Sequence, residues 1–495
     1  MEIKPTLSEF KEMAGHGNWI PVYAEYLADL ETPVSAFLKV RDDSFSYLLE
    51  SATHGKAWGR YSFIGYKPGL IVSIRDNDVK IRNGTEETRI SGSQNPLEIL
   101  KQVSRRFKAV PSKALPAFQG GLVGYINYDL VRRWEHLPEL SPEAPASPEC
   151  LFMLAKRLII FDHLTHKIKI VAFVHGQSGA ALESGYDQAC REVADTVASL
   201  SKKTADPDQR EPFCLSGLHS NFTKADFEEA VLKAKGHILS GDVIQVVLSQ
   251  RFSGESGGDD FCLYRNLRSL NPSPYMFYLN YGDARLIGAS PESLARLTNG
   301  KIELRPIAGT RPRGEDPQSD VALEKELLND PKEKAEHIML VDLGRNDVGR
   351  MALPGSVVVP QFMKVERYSH VMHLVSQVEG TLVPRADCFD LFMSVFPAGT
   401  VTGAPKIRAM QIIAELEPGP RGPYAGAVGY FGFNGNMDFC ITIRTIAIMK
   451  NTLSLQVGAG IVYDSSPEKE YHETLEKAAA MFQAIERAKN DFDDR

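Results

Sequence analysis

Long apolar segments are the first feature that this sequence lacks. Its 495 residues contain no run of about 18 apolar residues, the length that a membrane-spanning helix needs. Residues 1–5 also show no apolar core of a secretory signal. These two absences predict a soluble protein that works in the cytoplasm.

Closely spaced cysteines and an excess of positive charge are missing as well. The six cysteines are scattered and form no Cys-x-x-Cys pair, which argues against a zinc site or a redox dithiol. Isolated thiols are typical of a reducing compartment. The net charge is −7, so bulk charge gives no reason to expect binding to nucleic acid or to an anionic membrane.

What the chain does contain is the composition of an ordinary globular protein. Apolar residues make up 43% and charged residues 24%, and the length predicts two to four domains or one large body. A polar, proline-bearing stretch predicts a linker at 206–220, between an N-terminal domain at 1–205 and a C-terminal domain at 221–495. Short strands in meanders, interrupted by helices, predict an α+β fold.

Two predicted helices carry pairs of glutamates on one face. The first begins at an Asp-Pro pair and places Glu333 and Glu336 three residues apart. The last helix of the chain presents Glu470, Glu473 and Lys477 as one stripe. Facing carboxylates need a cation, and oxygen ligands without histidine or cysteine favour Mg²⁺. On these residues alone, solvated surface glutamates are the more common explanation.

Six motifs follow one another along the second half of the chain. The first, at 305–313, consists of Arg-Pro-Ile-Ala-Gly-Thr-Arg-Pro-Arg, and taken alone it fits a Gly/Pro turn with solvated arginines equally well. After it come EHIMLVDLGRND at 336–347, VMH at 371–373, PAGTVTGAPK at 397–406, GPYAG at 422–426 and GAG at 458–460. Together they resemble the chorismate-binding region of the anthranilate synthase large-subunit family over roughly 220–485. The N-terminal half resembles that family too.

The resemblance implies a fold and an activity. The fold would be a two-domain α+β structure with layered antiparallel β-sheets, a β-sandwich, flanked by helices. The activity would be the Mg²⁺-dependent amination of chorismate at ring C2 with ammonia, followed by loss of pyruvate to give anthranilate, the first committed step of tryptophan biosynthesis. A separate glutamine amidotransferase subunit, component II, would supply the ammonia in a heterotetramer of two large and two small subunits. No cysteine of this chain lies in a Gly-x-Cys-x-Gly setting.

The resemblance also implies roles for acidic and basic groups. Glu336 and Glu473 would bind Mg²⁺, with Glu470 and Glu333 close by or acting through water. Either Glu336 or Glu333 would protonate the leaving hydroxyl group. His373 would assist the loss of pyruvate, although a histidine without this context is more often part of a core.

Further residues would hold the substrate. Arg444 and Tyr424 would bind a carboxylate, for which the planar guanidinium is suited, and Lys477 would add positive charge. The remaining implied contacts are Gly309, Thr310 and Thr400 beside the ring and the segment Gly458, Ala459 and Gly460, where glycine permits close approach of backbone N–H donors.

Two side chains distinguish this sequence from family members that catalyse related reactions. Family members that form aminodeoxychorismate carry a lysine nucleophile at the position of Ala308, and alanine has no amine. Members that add water carry a lysine base where Gln245 stands here, and a neutral amide cannot deprotonate water efficiently. The alternatives are an aminodeoxychorismate synthase component I that uses another nucleophile, and a non-catalytic regulator that binds tryptophan or chorismate.

A tryptophan site for feedback inhibition is the last implied feature. Glu50 would pair with the ligand ammonium and Ser51 would form a hydrogen bond. The side chains implied to surround the indole are Pro274, Tyr275, Met276, Val428 and Tyr430. Without the family context, the segment around Glu50 is only the end of a strand or helix, and the one around Pro274 is only a turn.

Overall fold

A computed structural model of the chain describes residues 2–27, 29–41, 44–52, 59–92, 95–139, 147–176, 180–202, 211–368 and 371–490. None of the helices in these ranges is long and apolar enough to cross a membrane.

Helices and strands alternate irregularly along the chain. The helices are α1 (Leu7–Ala14), α2 (Pro33–Val40), α3 (Pro96–Ser104), α4 (Ala180–Leu200), α5 (Lys224–Leu239), α6 (Phe261–Leu270), α7 (Pro317–Asn329), α8 (Pro331–Gly349), α9 (Cys388–Val395), α10 (Lys406–Leu416) and α11 (Pro467–Asn490). The strands of the first half are β1 (Ile3–Lys4), β2 (Trp19–Leu27), β3 (Ser46–Glu50), β4 (Tyr61–Tyr66), β5 (Ile71–Arg75), β6 (Asp78–Asn83), β7 (Glu86–Ser91), β8 (Gly121–Ile126), β9 (Cys150–Leu154), β10 (Arg157–Asp162) and β11 (Lys167–His175). The second half contributes β12 (Cys214–Ser220), β13 (Gln245–Gly257), β14 (Tyr275–Asn280), β15 (Ala284–Ser290), β16 (Ser293–Thr298), β17 (Lys301–Leu304), β18 (Ile307–Pro312), β19 (Val358–Arg367), β20 (Val371–Thr381), β21 (Gly403–Ala404), β22 (Ala427–Gly432), β23 (Met437–Ile441), β24 (Thr445–Met449) and β25 (Thr452–Ile461).

Two large sheets form the framework of the described residues. The first has the strand order β1-β2-β11-β10-β4-β3-β14-β15-β24-β25-β13-β12, with β21 on β13. The second has the order β18-β20-β17-β16-β23-β22-β8-β9-β5-β6-β7, with β19 on β20. Neighbouring strands pair in antiparallel fashion. One apolar core contains residues of both sheets, among them Phe173, Leu286, Phe152 and Phe439. The predicted fold class, layered antiparallel sheets flanked by helices, is confirmed.

Each sheet combines strands from both halves of the sequence. In the first sheet β3 pairs with β14, and in the second β8 pairs with β22. The division into domains 1–205 and 221–495 stays a prediction. Part of the predicted linker at 206–220 is regular, because Cys214–Ser220 form strand β12 along the edge of β13. This strand is largely exposed, so it lacks the apolar alternation that would have revealed it.

Two helices carry the glutamate pairs that the sequence singled out. Helix α8 packs on β18 and β20, and the Asp330 side chain caps it by accepting hydrogen bonds from the backbone of Lys332 and Glu333. Helix α11 packs on β25 and on α6, and buries Thr474 and Ala478. Helix α8 therefore stands beside β18, which forms most of the 305–313 segment, and helix α11 stands beside β25.

Candidate active site

A cavity of about 590 Å³ lies between α8, α11 and the strands β13, β18, β20 and β25. It brings together residues that are far apart in the sequence, and nearly all of the predicted catalytic, metal and substrate residues line it: Gly309, Thr310, Glu333, Glu336, His373, Thr400, Tyr424, Arg444, Gly458, Gly460, Glu470, Glu473 and Lys477. Ala459 is the exception. Its side chain is buried in a core on the opposite face of β25, since successive residues of a strand point to opposite sides.

The four predicted carboxylates form one wall of the cavity. Burial raises the pKa of Glu336, and the neighbouring Glu333 raises it further. Burial likewise raises the pKa of Glu470, whose Oε2 has no hydrogen-bond partner. Glu473 pairs with Lys477 at 2.6 Å. The wall therefore carries negative charge that Lys477 neutralises only in part.

These carboxylates are the kind of ligand that a hard cation prefers. All of their donor atoms are oxygens, and Oε2 of Glu470 has no hydrogen-bond partner. In the part of the chain that the structure describes, however, no three His, Cys, Asp or Glu side chains stand close enough to form a ready-made metal site. Two of the carboxylates are engaged elsewhere, Glu473 with Lys477 and Glu333 with Arg311 at 3.1 Å.

His373 stands opposite the loop at 305–313, on β20. Its Nδ1 lies 3.2 Å from the carbonyl oxygen of Gly309 and 3.0 Å from Oγ1 of Thr310. A carbonyl only accepts, so this hydrogen bond requires a proton on Nδ1 and leaves Nε2 as the basic nitrogen. Burial lowers the pKa of His373, which favours the neutral ring near pH 7.

Gly309 has a backbone that other residues would not tolerate there. Its φ of +67° lies in the left-handed region, and it forms an irregularity in the pairing of β18 with β20. A Cβ atom on Gly309 would stand 3.1 Å from Oε2 of Glu333. The glycine therefore lets the loop approach the acidic helix and turn Thr310 towards His373.

A cationic region adjoins the acidic wall. Arg444 has a φ of +52°, and its guanidinium donates to the carbonyl oxygen of Lys477 at 2.9 Å. Lys477 itself donates to the carbonyl oxygen of Gly458 at 3.0 Å. A Cβ atom on Gly458 would lie only 2.6 Å from the Tyr424 hydroxyl oxygen, so glycine is needed for this packing. Burial raises the pKa of Tyr424 to about 12, so its hydroxyl remains a donor.

Glu292 is a site residue that the sequence interpretation missed. It follows β15 and lines the cavity beside Thr400. Burial raises the pKa of Glu292 to about 8, and the Thr400 hydroxyl and the Lys477 ammonium offset only part of this effect. The one sequence signal was a single acid after a buried apolar strand, which is too common a pattern to mark a site.

The two side chains that distinguish the related chemistries both face this cavity. Ala308 lines it from β18, and Gln245 lines it from the first residue of β13. Gln245 is buried and its Oε1 has no hydrogen-bond partner. The amide is therefore positioned beside the substrate space without the positive charge or basicity of a lysine.

A second cavity, of about 470 Å³, contains every residue of the predicted tryptophan site: Glu50, Ser51, Pro274, Tyr275, Met276, Val428 and Tyr430. Glu50 already has protein partners, because Arg268 donates to both of its oxygens at 3.0 and 3.2 Å and the Tyr264 hydroxyl donates to Oε2. Tyr275 donates to Asp438 at 2.8 Å on the other side of the cavity. The motifs at 50–51 and 274–276 are joined directly, since Glu50 and Met276 are partners in adjacent strands.

Comparison with known proteins agrees with this geometry. The family described as chorismate binding enzyme matches residues 47–483. Anthranilate synthase component 1 of Acetivibrio thermocellus is 48% identical, covering 98% of this chain and 99% of that protein, and the Aquifex aeolicus protein of the same name is 47% identical, covering 98% of each. The crystal structure of anthranilate synthase component I from Streptococcus pneumoniae TIGR4 superposes with a TM-score of 0.74 at 35% identity, covering 92% of this chain and 98% of that one. The chain belongs to the chorismate-binding enzyme family, in the group of anthranilate synthase component 1 proteins. The prediction that it is an enzyme of this family is confirmed.

Proposed function

We propose that this protein aminates chorismate at ring C2 with ammonia and then eliminates pyruvate to give anthranilate. The observation that carries the proposal is one cavity that combines a cationic region, the His373 imidazole, the Glu292 carboxyl group and an acidic wall. Burial lowers the pKa of His373 and raises that of Glu292. The names of the similar proteins, which match over nearly the full length, point to the same reaction.

The cationic region would hold chorismate by a carboxylate. Arg444 offers a planar fork of donors, and Tyr424 and Lys477 line the same cavity. Burial lowers the pKa of the Arg444 guanidinium, and a bound carboxylate would compensate this loss of hydration. We infer that these three side chains set the orientation of the ring.

Mg²⁺ would be held by Glu336 and Glu473, with Glu470 and Glu333 next to them. Bound there, the ion would act as a Lewis acid for a substrate carboxylate. The support for this assignment is the all-oxygen donor set and the unpartnered Oε2 of Glu470.

Expulsion of the C4 hydroxyl group requires an acid, and Glu292 has the best protonation state for this role. With a pKa of about 8, its carboxyl group carries a proton at neutral pH. We assign it the delivery of that proton, so that the hydroxyl leaves as water while ammonia attacks C2. Glu336 and Glu333, the candidates from the sequence, belong to the acidic wall, where Glu336 would bind Mg²⁺ and Glu333 would lie beside it.

His373 would take the proton from C2 in the second step. The Gly309 carbonyl fixes the tautomer that leaves Nε2 free to accept a proton. As C2 loses that proton, the bond from C3 to the enolpyruvyl oxygen breaks and the ring becomes aromatic. The leaving group picks up a proton at carbon and is released as pyruvate.

A second subunit and an inhibitor complete the proposal. The name component 1 of the similar proteins implies a further component, for which we propose a glutamine amidotransferase that supplies ammonia in a heterotetramer of two large and two small chains. We further propose that the cavity containing Glu50 and Ser51 binds tryptophan as feedback inhibitor, and that the protein works in the cytoplasm in tryptophan biosynthesis.

The product of the purified chain decides between the alternatives. With chorismate, Mg²⁺ and ammonium chloride at alkaline pH, we expect a fluorescent product that co-elutes with anthranilate. Accumulation of aminodeoxychorismate would instead identify an aminodeoxychorismate synthase. Binding of chorismate or tryptophan without turnover would identify a regulator. A Glu336→Gln protein serves as control and should lose Mg²⁺-dependent turnover while keeping its fold.

A further inference from the structure

A buried arginine stands directly behind the lining of the active-site cavity. Arg421 is only 2% exposed and belongs to the segment that joins α10 to β22, three residues before Tyr424. Its guanidinium pairs with Glu417: Nε donates to Oε2 at 2.9 Å and Nη2 donates to Oε1 at 2.6 Å. Neither the proposed binding of chorismate nor the proposed proton transfers use this pair.

Stability by itself gives a weak reason for such a pair. Removing two charges from water costs much of what their attraction returns, and apolar side chains of similar volume often stabilise a core at least as well. The side chains of Arg421 and Glu417 are 1% and 4% exposed, so this cost applies in full. The groups that the guanidinium brings together give a stronger reason.

The guanidinium joins two walls of the active-site cavity. Nη1 donates to the carbonyl oxygen of Val401 at 2.6 Å, and Nη2 donates to the carbonyl oxygen of Val247 at 2.8 Å. Val401 ends the short 3-10 helix Gly399–Val401, which carries Thr400, and Val247 belongs to β13. Both valines line the cavity, so one planar cation fixes the position of Thr400 relative to β13.

The same guanidinium lies against the ring of Tyr424. Its Cζ atom is 5.5 Å from the centre of the Tyr424 ring and 4.8 Å from the centre of the Tyr128 ring. A cation over an aromatic face attracts the ring and holds its plane, most strongly where water is excluded. A tilt of the Tyr424 ring would move the hydroxyl group that is proposed to bind a substrate carboxylate.

Glu417 keeps the guanidinium in this place. Its Oε1 also accepts hydrogen bonds from the backbone N–H and from the hydroxyl of Ser249, both at 2.8 Å. The carboxylate is therefore anchored to β13, and it fixes the direction in which the planar fork of Arg421 points.

We propose that Arg421, held by Glu417, is a positioning residue for chorismate: it orients the Tyr424 hydroxyl towards the substrate carboxylate and holds Thr400 beside the reacting ring. This inference rests on the reaction proposed above. Arg421 keeps its charge throughout and makes no bond to the substrate. It acts through Tyr424 on the binding of chorismate and through Thr400 on the chemical step.

The first test exchanges the planar cation for a flexible one. Arg421→Lys keeps a positive charge beside Glu417, but an ammonium group can neither span both carbonyl oxygens nor lie flat against two rings. We expect the KM for chorismate to rise and kcat to fall, each about tenfold, since small misplacements at a reacting centre have effects of this size. The KM for ammonia should change less than about twofold.

A matched control is Arg285→Lys. Arg285 likewise pairs with a buried acid, Asp260, at 2.8 Å, and neither residue lines the active-site cavity. The same exchange there should leave both kinetic constants for chorismate within about twofold of the unchanged protein.

A second measurement separates positioning from a loss of folded protein. Fewer folded sites lower kcat and leave the KM for chorismate unchanged, whereas a misplaced Tyr424 raises that KM. In a Tyr424→Phe protein the hydroxyl group is absent. Adding Arg421→Lys to it should therefore change the KM for chorismate less than about twofold further, while kcat still falls.

Two results would overturn the inference. One is an unchanged KM for chorismate in Arg421→Lys, and the other is a rise in KM that is equally large in the Tyr424→Phe background. If the lysine protein does not fold, Arg421→Met combined with Glu417→Met removes both charges, leaves no unpaired charge buried, and should raise the KM for chorismate in the same way. Failure of the unchanged chain to make anthranilate from chorismate and ammonium would instead refute the proposed amination.

Discussion

Ala308 is a small residue at a position where a longer side chain would enter the substrate space. It lies on β18 and lines the active-site cavity, and a Cβ atom on its neighbour Gly309 would stand 3.1 Å from Oε2 of Glu333 on α8. A group added here would approach the substrate rather than the core. The chemistry of the cavity therefore depends on the absence of a reactive amine at position 308.

The substitution Ala308→Lys should convert this position into a nucleophile. A lysine placed in the cavity loses hydration, which lowers its pKa and exposes the neutral amine for attack at C2. We expect intact-protein mass spectrometry after incubation with chorismate to show an adduct of chorismate minus one water. Ala308→Met has similar length but no amine and should give none. Unchanged anthranilate formation by the lysine protein, with no adduct, would show that the position does not face the ring.

Glu292 predicts a pH dependence with a defined direction. Its pKa is raised to about 8, so the protonated acid is lost as the pH rises through about 8. At constant free ammonia, kcat should fall across this range, and Glu292→Gln should reduce kcat by about 10²–10⁴-fold. Glu486→Gln, which neutralises an exposed glutamate of α11 that does not line the active-site cavity, serves as control and should remain near the unchanged protein.

The same residue should make stability depend on pH in the same direction, because the folded state also favours the protonated carboxyl group. The folded state favours the protonated Glu292 between the ordinary pKa of 4.5 and about 8, so ionisation of this carboxyl destabilises the fold as the pH rises through that window. Relative to the unchanged protein, Glu292→Gln should therefore gain thermal stability on going from acidic to alkaline pH. An unchanged difference in melting temperature across that window would contradict the assigned pKa.

Among the secondary-structure elements, α6 connects the two large cavities. At one side, Tyr264 and Arg268 of α6 hold Glu50 of the proposed tryptophan site. At the other side, α6 packs on α11, which carries Glu473 and Lys477 of the active site. A ligand that repositions Glu50 would therefore act on a helix that packs on α11, the helix that carries Glu470 and Glu473.

Weakening this connection should weaken inhibition more than catalysis. Tyr264→Phe removes the hydroxyl group that donates to Glu50 and keeps the ring in its buried position. We expect the tryptophan concentration for half-inhibition to rise by about fivefold or more, the lower range of typical coupling between sites, while activity without tryptophan stays within about twofold. Tyr186→Phe removes a hydroxyl that donates to the backbone of Pro5, far from Glu50 in sequence, and should leave inhibition unchanged. Equal sensitivity of the two variants would exclude α6 as the connection.

On the scale of the whole molecule, the two halves of the chain share both sheets. Strands β3 and β8 of the first half lie beside β14 and β22 of the second half. Separating the halves would expose the paired edges of these strands and the apolar core between the sheets. The proposed boundary near 206–220 then divides the sequence without dividing the sheets.

The halves should accordingly fail to fold on their own. We expect fragments 1–205 and 221–495, expressed separately, to be insoluble or to show no cooperative melting transition, and the full chain to melt in a single calorimetric transition. A fragment that melts cooperatively and resists proteolysis would support two independent domains, as the sequence predicted. A full chain cleaved within 206–220 that stays associated is the suitable control, because it keeps every strand pair.

The amino-acid sequence by itself determined the local features and the family. Helix starts, the spacing of Glu333 from Glu336 and the order of the motifs are properties of neighbouring residues, and they pointed to layered sheets with helices and to chorismate chemistry. Only the tertiary structure decided the protonation, the hydrogen-bond partners and the strand pairing of particular residues. The raised pKa of Glu292, the partners of Glu50, the unpartnered oxygen of Gln245 and the sharing of both sheets depend on burial and on contacts between distant segments. Burial changes the cost of charges and of unpaired polar atoms, and no pattern of neighbouring residues records which side chains a fold will enclose together.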